Sequence, residues 1–208
     1  MKKMKFYALG IVSAALLTAG LYACSSETTD SPQEESSVNF QTKSRVGFTK
    51  EQIGEIRNGV AVPLYDEARV KADLITSGVF AQVESIELAY GINPTTNSGE
   101  AIVTIIGKEK ATSPALAIVA DLVIDGNRLF ILNPETNQQA FAKHVCAGQN
   151  CGWCEFDRTW FLGRIRGCKP CSRVVDESKP SGCIHSQSSG GGMTIIKEAS
   201  NILIKNAI

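Results

Sequence analysis

Six of the chain's seven cysteines lie between positions 146 and 183: Cys146, Cys151, Cys154, Cys168, Cys171 and Cys183. A region this short with few large apolar side chains cannot hold a fold by burial alone and needs staples. Three disulfides are the first expectation, since an even set of thiols outside the cytoplasm is normally oxidised, each closure contributing on the order of 2–4 kcal/mol. Six cysteines allow about 15 pairings, so the partners stay open. Zinc is the alternative. Cys151-Gly152-Trp153-Cys154 and Cys168-Lys169-Pro170-Cys171 are two CxxC pairs, and their spacing is close to that of a four-cysteine zinc site. Otherwise no cofactor is expected.

A third chemistry is thiol–disulfide exchange. Cys151-Gly152-Trp153-Cys154 superficially resembles the redox motif of thioredoxins, but it does not follow a strand and open a helix as that motif does. An exported oxidoreductase using Cys151 and Cys154 therefore ranks third. Cys146, Cys151 and Cys154 also resemble the first three ligands of a plant-type ferredoxin. A chain exported unfolded would not carry such a cluster. His144 and His185, the only histidines, bracket the cysteines. They offer two further metal ligands, with exposed loop histidines as the plainer expectation.

The N-terminus argues for export. Lys2, Lys3 and Lys5 precede an apolar run from Phe6 through Leu21, and Leu21-Tyr22-Ala23-Cys24 ends it. This resembles the signal peptide of a bacterial lipoprotein, cut before a cysteine carrying a lipid thioether. Tyr22 departs from the usual box, where a small or β-branched residue stands. The competing reading is an uncut transmembrane helix over residues 6–23, at the lower length limit for a span. The resemblance implies lipidation at Cys24 and membrane attachment through the lipid. Ser25 after it points to the outer membrane, periplasmic or surface-exposed. Residues 24–46 are rich in Ser, Thr and Glu, with little to bury, and read as a disordered tether.

Removing residues 1–23 leaves 18 basic against 21 acidic residues. That balance offers no general attraction to nucleic acid. The expected class is α+β, with short helices, a small antiparallel sheet and a cysteine-rich loop module near the C-terminus. The α+β domain spans 47–145, the module 146–185, and a Gly/Ser link with a terminal element 186–208.

Within the domain, Thr49 to Gln52 fits a capping box opening a helix that Gly59 ends. Asp66 caps a second helix to about Ser77, with Val70 and Leu74 on one face. Ile86, Leu88 and Tyr90 alternate as a strand, and Ala101–Ile106 is a short apolar one. Ala115–Ile124 and Arg128–Leu132 flank Asp125-Gly126-Asn127, a hairpin whose third loop residue suggests a bulge. Asn133-Pro134 opens a helix toward Val145. Thr194–Ile208, strand or helix, is expected back on the core.

No catalytic constellation is present: no GxSxG, no HExxH, no phosphate loop. Asp121 and Asp125 read as strand-edge and turn residues. Function therefore rests on a binding surface. Between positions 158 and 173 the chain carries Arg158, Arg164, Arg166, Lys169 and Arg173 without an acid, interleaved with Trp160 and Phe161; Trp153 lies just before. Arginine and aromatic enrichment characterises binding surfaces. Trp153, Trp160, Arg158, Arg164 and Arg166 are the candidate contacts, for an acidic glycan or a protein partner. The plainer expectation is that the aromatics form the module's small core.

Overall fold

A computed structural model describes residues 50–189 and 193–208. The expected signal (1–23), Cys24, the expected tether (24–46) and the expected cap Thr49 lie outside them. Antiparallel sheet dominates, with two short helices, so α+β holds only loosely.

The five-stranded sheet runs β11(Gly182–Ser189), β8(Phe141–Gln149), β5(Ala115–Asp121), β4(Gly99–Lys108), β3(Gln82–Ile92). Strand β4, between β5 and β3, is buried on both faces. Ala101, Val103 and Ile105 point into one core, while Ile102 and Ile106 point into another. A strand buried on both sides reads as an unbroken apolar run. This sheet is therefore the middle of three layers.

On one face sit the helices and a second sheet, β2(Val60–Pro63), β1(Lys50–Arg57), β7(Arg128–Leu132), β6(Val123–Asp125). Helix α1(Glu67–Thr76) starts at Asp66, whose carboxylate accepts from Arg69 N at 3.1 Å, and buries Val70 and Leu74. Helix α2(Met193–Lys205) buries Ile196, Ala199 and Leu203, so the terminal apolar element is a helix on the first core. The chain end is tied down: Ile208 N donates to Leu64 O at 2.7 Å, and Asn206 Nδ2 donates to Asp73 Oδ2 at 3.0 Å. On the other face lies the hairpin β9(Phe156–Arg158)–β10(Ile165–Cys168), within the cysteine-rich region.

Several sequence expectations are corrected. Residues 50–63 form a β-hairpin rather than a helix. Asn58 (φ 52°) and Gly59 (φ 76°) are its two central turn residues, the left-handed pair that a tight hairpin selects. Capping-box chemistry is a weak local preference, and pairing β1 with both β2 and β7 outweighs it. Ala115–Ile124 breaks at Leu122, where the chain leaves one sheet for the other. The hairpin after it has a two-residue loop, because Asp125 pairs directly with Arg128. The predicted helix from Asn133 stops after one turn. Asn133 Oδ1 accepts from Glu135 N at 2.8 Å, but Phe141 onward pairs with β5. The module boundaries also move. β8 runs through 145/146, and β11 runs through 185/186, taking Ser186–Ser189 of the supposed link into the sheet.

Candidate functional site

The cysteines pair Cys146–Cys168, Cys151–Cys171 and Cys154–Cys183. First joins fourth, second joins fifth and third joins sixth, so all three loops interlock. Cys146 is 1% exposed and packs with Ile102, Ile106, Ala117, Val119, Phe156 and Ile165, so this bridge is part of the second core. Cys151 and Cys171 tie the outer loops, where Gly152 N donates to Arg173 O at 2.7 Å. Cys154–Cys183 ties that loop to β11.

The two sulfurs of Cys151 and Cys154 belong to different bridges, which is not the dithiol of a thioredoxin-like centre. The zinc set Cys151, Cys154, Cys168 and Cys171 is likewise divided over three bridges. Sulfurs of Cys151, Cys154 and Cys183 do lie within 4.8 Å of one another. Each is in a disulfide, however, and zinc takes thiolates.

The expectation of exposed loop histidines fails for His144, which is 4% exposed on β8. Extending β8 and β11 past the loop boundary places both rings on the disulfide side of the sheet. His144 Nδ1 lies 3.1 Å from His185 Nε2, with ring centroids 5.3 Å apart and planes tilted 18°. Those values describe nearly coplanar rings meeting edge to edge, the geometry of an N–H···N hydrogen bond. One of the facing nitrogens donates its proton to the lone pair of the other, so the pair does not converge on an ion. Burial first, and the neighbouring His185 second, push His144 down to about 4.

The basic residues divide from the expected cationic surface, because the fold supplies the acids that the local sequence lacks. Arg158 donates to both oxygens of Glu87 on β3, at 3.0 and 2.5 Å, and to Gly163 O at 2.8 Å. The Arg158 hydrogen bond is the main cause holding Glu87 below the usual carboxylate range. Arg164 bridges Glu100 at 3.2 Å and Asp121 at 2.7 Å, Arg166 pairs with Asp157 at 2.7 Å, and Lys169 pairs with Glu155 at 2.7 Å. Four of the five cations are thus paired with carboxylates, and Arg158 and Arg164 tie the hairpin to the large sheet. Among the described residues only Arg173 of the five has no carboxylate partner.

The aromatics divide too. Phe156 is buried, Phe161 covers Gly91 of β3, and Trp160 at the hairpin tip is 85% exposed. A Cβ on Gly91 would meet Phe161 Cε2 at 2.8 Å, so any larger residue there displaces the Phe161 ring. Trp153 is 48% exposed and borders a cleft of about 560 Å³. The cleft lies between the β4–β5 connection, residues 109–114, and the loop from Gly148 to Glu155. Its floor is apolar, with Ile106, Ala115 and Phe156. Its rim is charged, with Glu84, Lys108 and Lys169.

Lys108 Nζ stands 5.2 Å from the Trp153 ring centre, within cation–π range, and has no carboxylate partner among the described residues. Trp153 Nε1 donates to Glu155 at 3.2 Å. Lys169 first, and this indole second, hold Glu155 below the usual carboxylate range. The indole is thus fixed in orientation with one face beside the cleft. Sequence reasoning found Trp153 but missed Glu84, Lys108 and Glu155. Glu155, two residues after the tryptophan, was the only one with a local signal.

No family model, curated protein or solved structure matches the chain.

Proposed function

We propose that the protein is a lipid-anchored, extracytoplasmic binding protein, without catalytic activity of its own, that takes a glycan in the Trp153 cleft. The observation that carries this is the oriented, half-exposed indole at the edge of a disulfide-framed cleft of about 560 Å³. A flat apolar face ringed by fixed hydrogen-bonding groups suits a sugar ring, which has an apolar face and a polar edge. Rigid presentation by interlocked bridges lowers the entropy lost on binding. Because the module's arginines are largely paired within the fold, selection of an acidic sugar falls to Lys108 rather than to a cationic stripe.

Glycan-array binding of the full chain carrying Cys24→Ser tests the cleft. Trp153→Ala should abolish binding that wild type shows, and Trp160→Ala should leave it intact; loss with Trp160→Ala alone would refute the cleft. The anchor rests on the Leu21-Tyr22-Ala23-Cys24 box, and Cys24→Ser should release the protein from membranes or block its processing. A second reading is a protein partner docking on Trp160, whose exposure at a hairpin tip is that of a hot-spot anchor.

A further inference from the structure

The two outer bridges touch. Cys151 Sγ lies 3.6 Å from Cys183 Sγ, which is van der Waals contact between sulfurs of different disulfides. Trp153 O lies 3.1 Å from Cys151 Sγ and 3.8 Å from Cys183 Sγ, so one carbonyl borders both sulfurs. We propose that Cys171, Cys151, Cys183 and Cys154 form a thiol–disulfide relay, through which an external dithiol acting on the Cys151–Cys171 bridge frees the Cys154 thiol in the cleft. This goes beyond glycan binding and does not depend on it.

The entry point follows from packing. Cys146 is sealed in the second core, and Cys154 packs against that core. Cys151 and Cys171 do not, and of the four residues beside them Gly152, Pro170 and Ser172 are exposed and Asn150 is half-buried. An external dithiol reduces Cys151–Cys171, giving two thiols and leaving as its own disulfide. Cys151 then loses its proton, and its thiolate attacks Cys183 Sγ. The Cys151–Cys183 bond forms, the Cys154–Cys183 bond breaks, and the electron pair leaves on Cys154 Sγ, which takes up a proton. The exchange is internal and needs no oxidant.

The aliphatic stem of Arg173 packs through Cγ and Cδ against Gly152, beside Cys151. The exchange keeps β11 bonded to the loop, now through Cys151, and places the free Cys154 thiol on the cleft wall. The thiol-bearing form is a ligand for an exported protein carrying a disulfide or another thiol-reactive group.

The test uses the full chain with Cys24→Ser, so that no seventh thiol takes part. In the additional Cys171→Ser variant Cys151 has no partner. Alkylation at pH 8 followed by peptide mapping should find the label divided between Cys151 and Cys154, with a Cys151–Cys183 linked peptide present. Label on Cys151 alone, with Cys154–Cys183 retained, overturns the relay. Should that variant not fold, acid-quenched reduction of the Cys24→Ser chain with limiting dithiothreitol gives the answer. The expected product has Cys151–Cys183 linked and Cys154 and Cys171 alkylated. Alkylation of Cys151 and Cys171 only, or a Cys151–Cys154 bridge, overturns the route.

Discussion

The three disulfides should not be equivalent, and their ranking tests the layered description of the fold. Their sequence separations are 22, 20 and 29 residues for Cys146–Cys168, Cys151–Cys171 and Cys154–Cys183. Loop-closure entropy alone makes each bridge contribute about 3.4, about 3.3 and about 3.6 kcal/mol in turn. On that basis Cys154–Cys183 matters most, by a margin too small to measure. The structure reverses the order. Cys146 is enclosed by Ile102, Ile106, Ala117, Val119, Phe156 and Ile165, so removing its sulfur opens a void that β4, β5 and the β9–β10 hairpin line together. Truncation in a packed core adds about 1–2 kcal/mol to the lost closure entropy.

Cys146→Ala/Cys168→Ala should therefore cost about 5 kcal/mol, against about 3 for Cys151→Ala/Cys171→Ala. The first is a large part of a domain's whole stability, the second a tolerable loss. Urea unfolding of the oxidised double variants, followed by tryptophan fluorescence and far-UV circular dichroism, measures the difference. Equal midpoints for the two variants, or a less stable Cys151/Cys171 variant, would refute a second core built around Cys146.

Acid should weaken the β8–β11 pairing. His144 has a folded pKa of about 4, below the roughly 6.5 of an unfolded histidine, so the native state binds fewer protons between these values. Its contribution is complete above about pH 6.5 and is lost as pH falls toward 4, at most about 3 kcal/mol. Stability of His144→Gln should vary less over that window than wild type; parallel curves would remove His144 as the cause. Gly91→Ala should push Phe161 off β3 and cost about 1–2 kcal/mol, with altered Trp160 emission. An unchanged emission and midpoint would show that the tip does not rest there. Gly59→Ala meets open space but forces alanine to φ 76°, for about 1 kcal/mol, read as a lower thermal midpoint without a change in the cleft.

What could be read along the chain, and what could not, follows from the range of the interactions that decide each element. Asp66 caps α1 through a contact three residues away, and Val70 and Leu74 share a face four residues apart; both are local facts. Unbroken apolar runs in β4 and β5 likewise declare a strand covered on both sides, and the cysteine cluster declares its staples. Residues 49–59 show the opposite case. Thr49, Gln52, Ile53 and Ile56 satisfy helical spacing, while the deciding signal, Asn58-Gly59, favours a hairpin whose second partner, β7, is more than 70 residues downstream. The turn pair and the long-range pairing outweigh the helical spacing.

The candidate site was least legible for the same reason. Charge balance over 158–173 is strongly positive when read as a segment, yet Glu87, Glu100 and Asp121 reach Arg158 and Arg164 from three strands of the large sheet. These partners lie between 43 and 71 residues away in sequence. A charge run can be read as a ligand surface only when the fold leaves it unpaired. Here Lys108, an unremarked residue at the end of β4, is left without a carboxylate partner beside the cleft, while the arginines hold the module in place. On the proposed reading, ligand contact therefore falls to Trp153 and Lys108, where the disulfide loop meets the sheet.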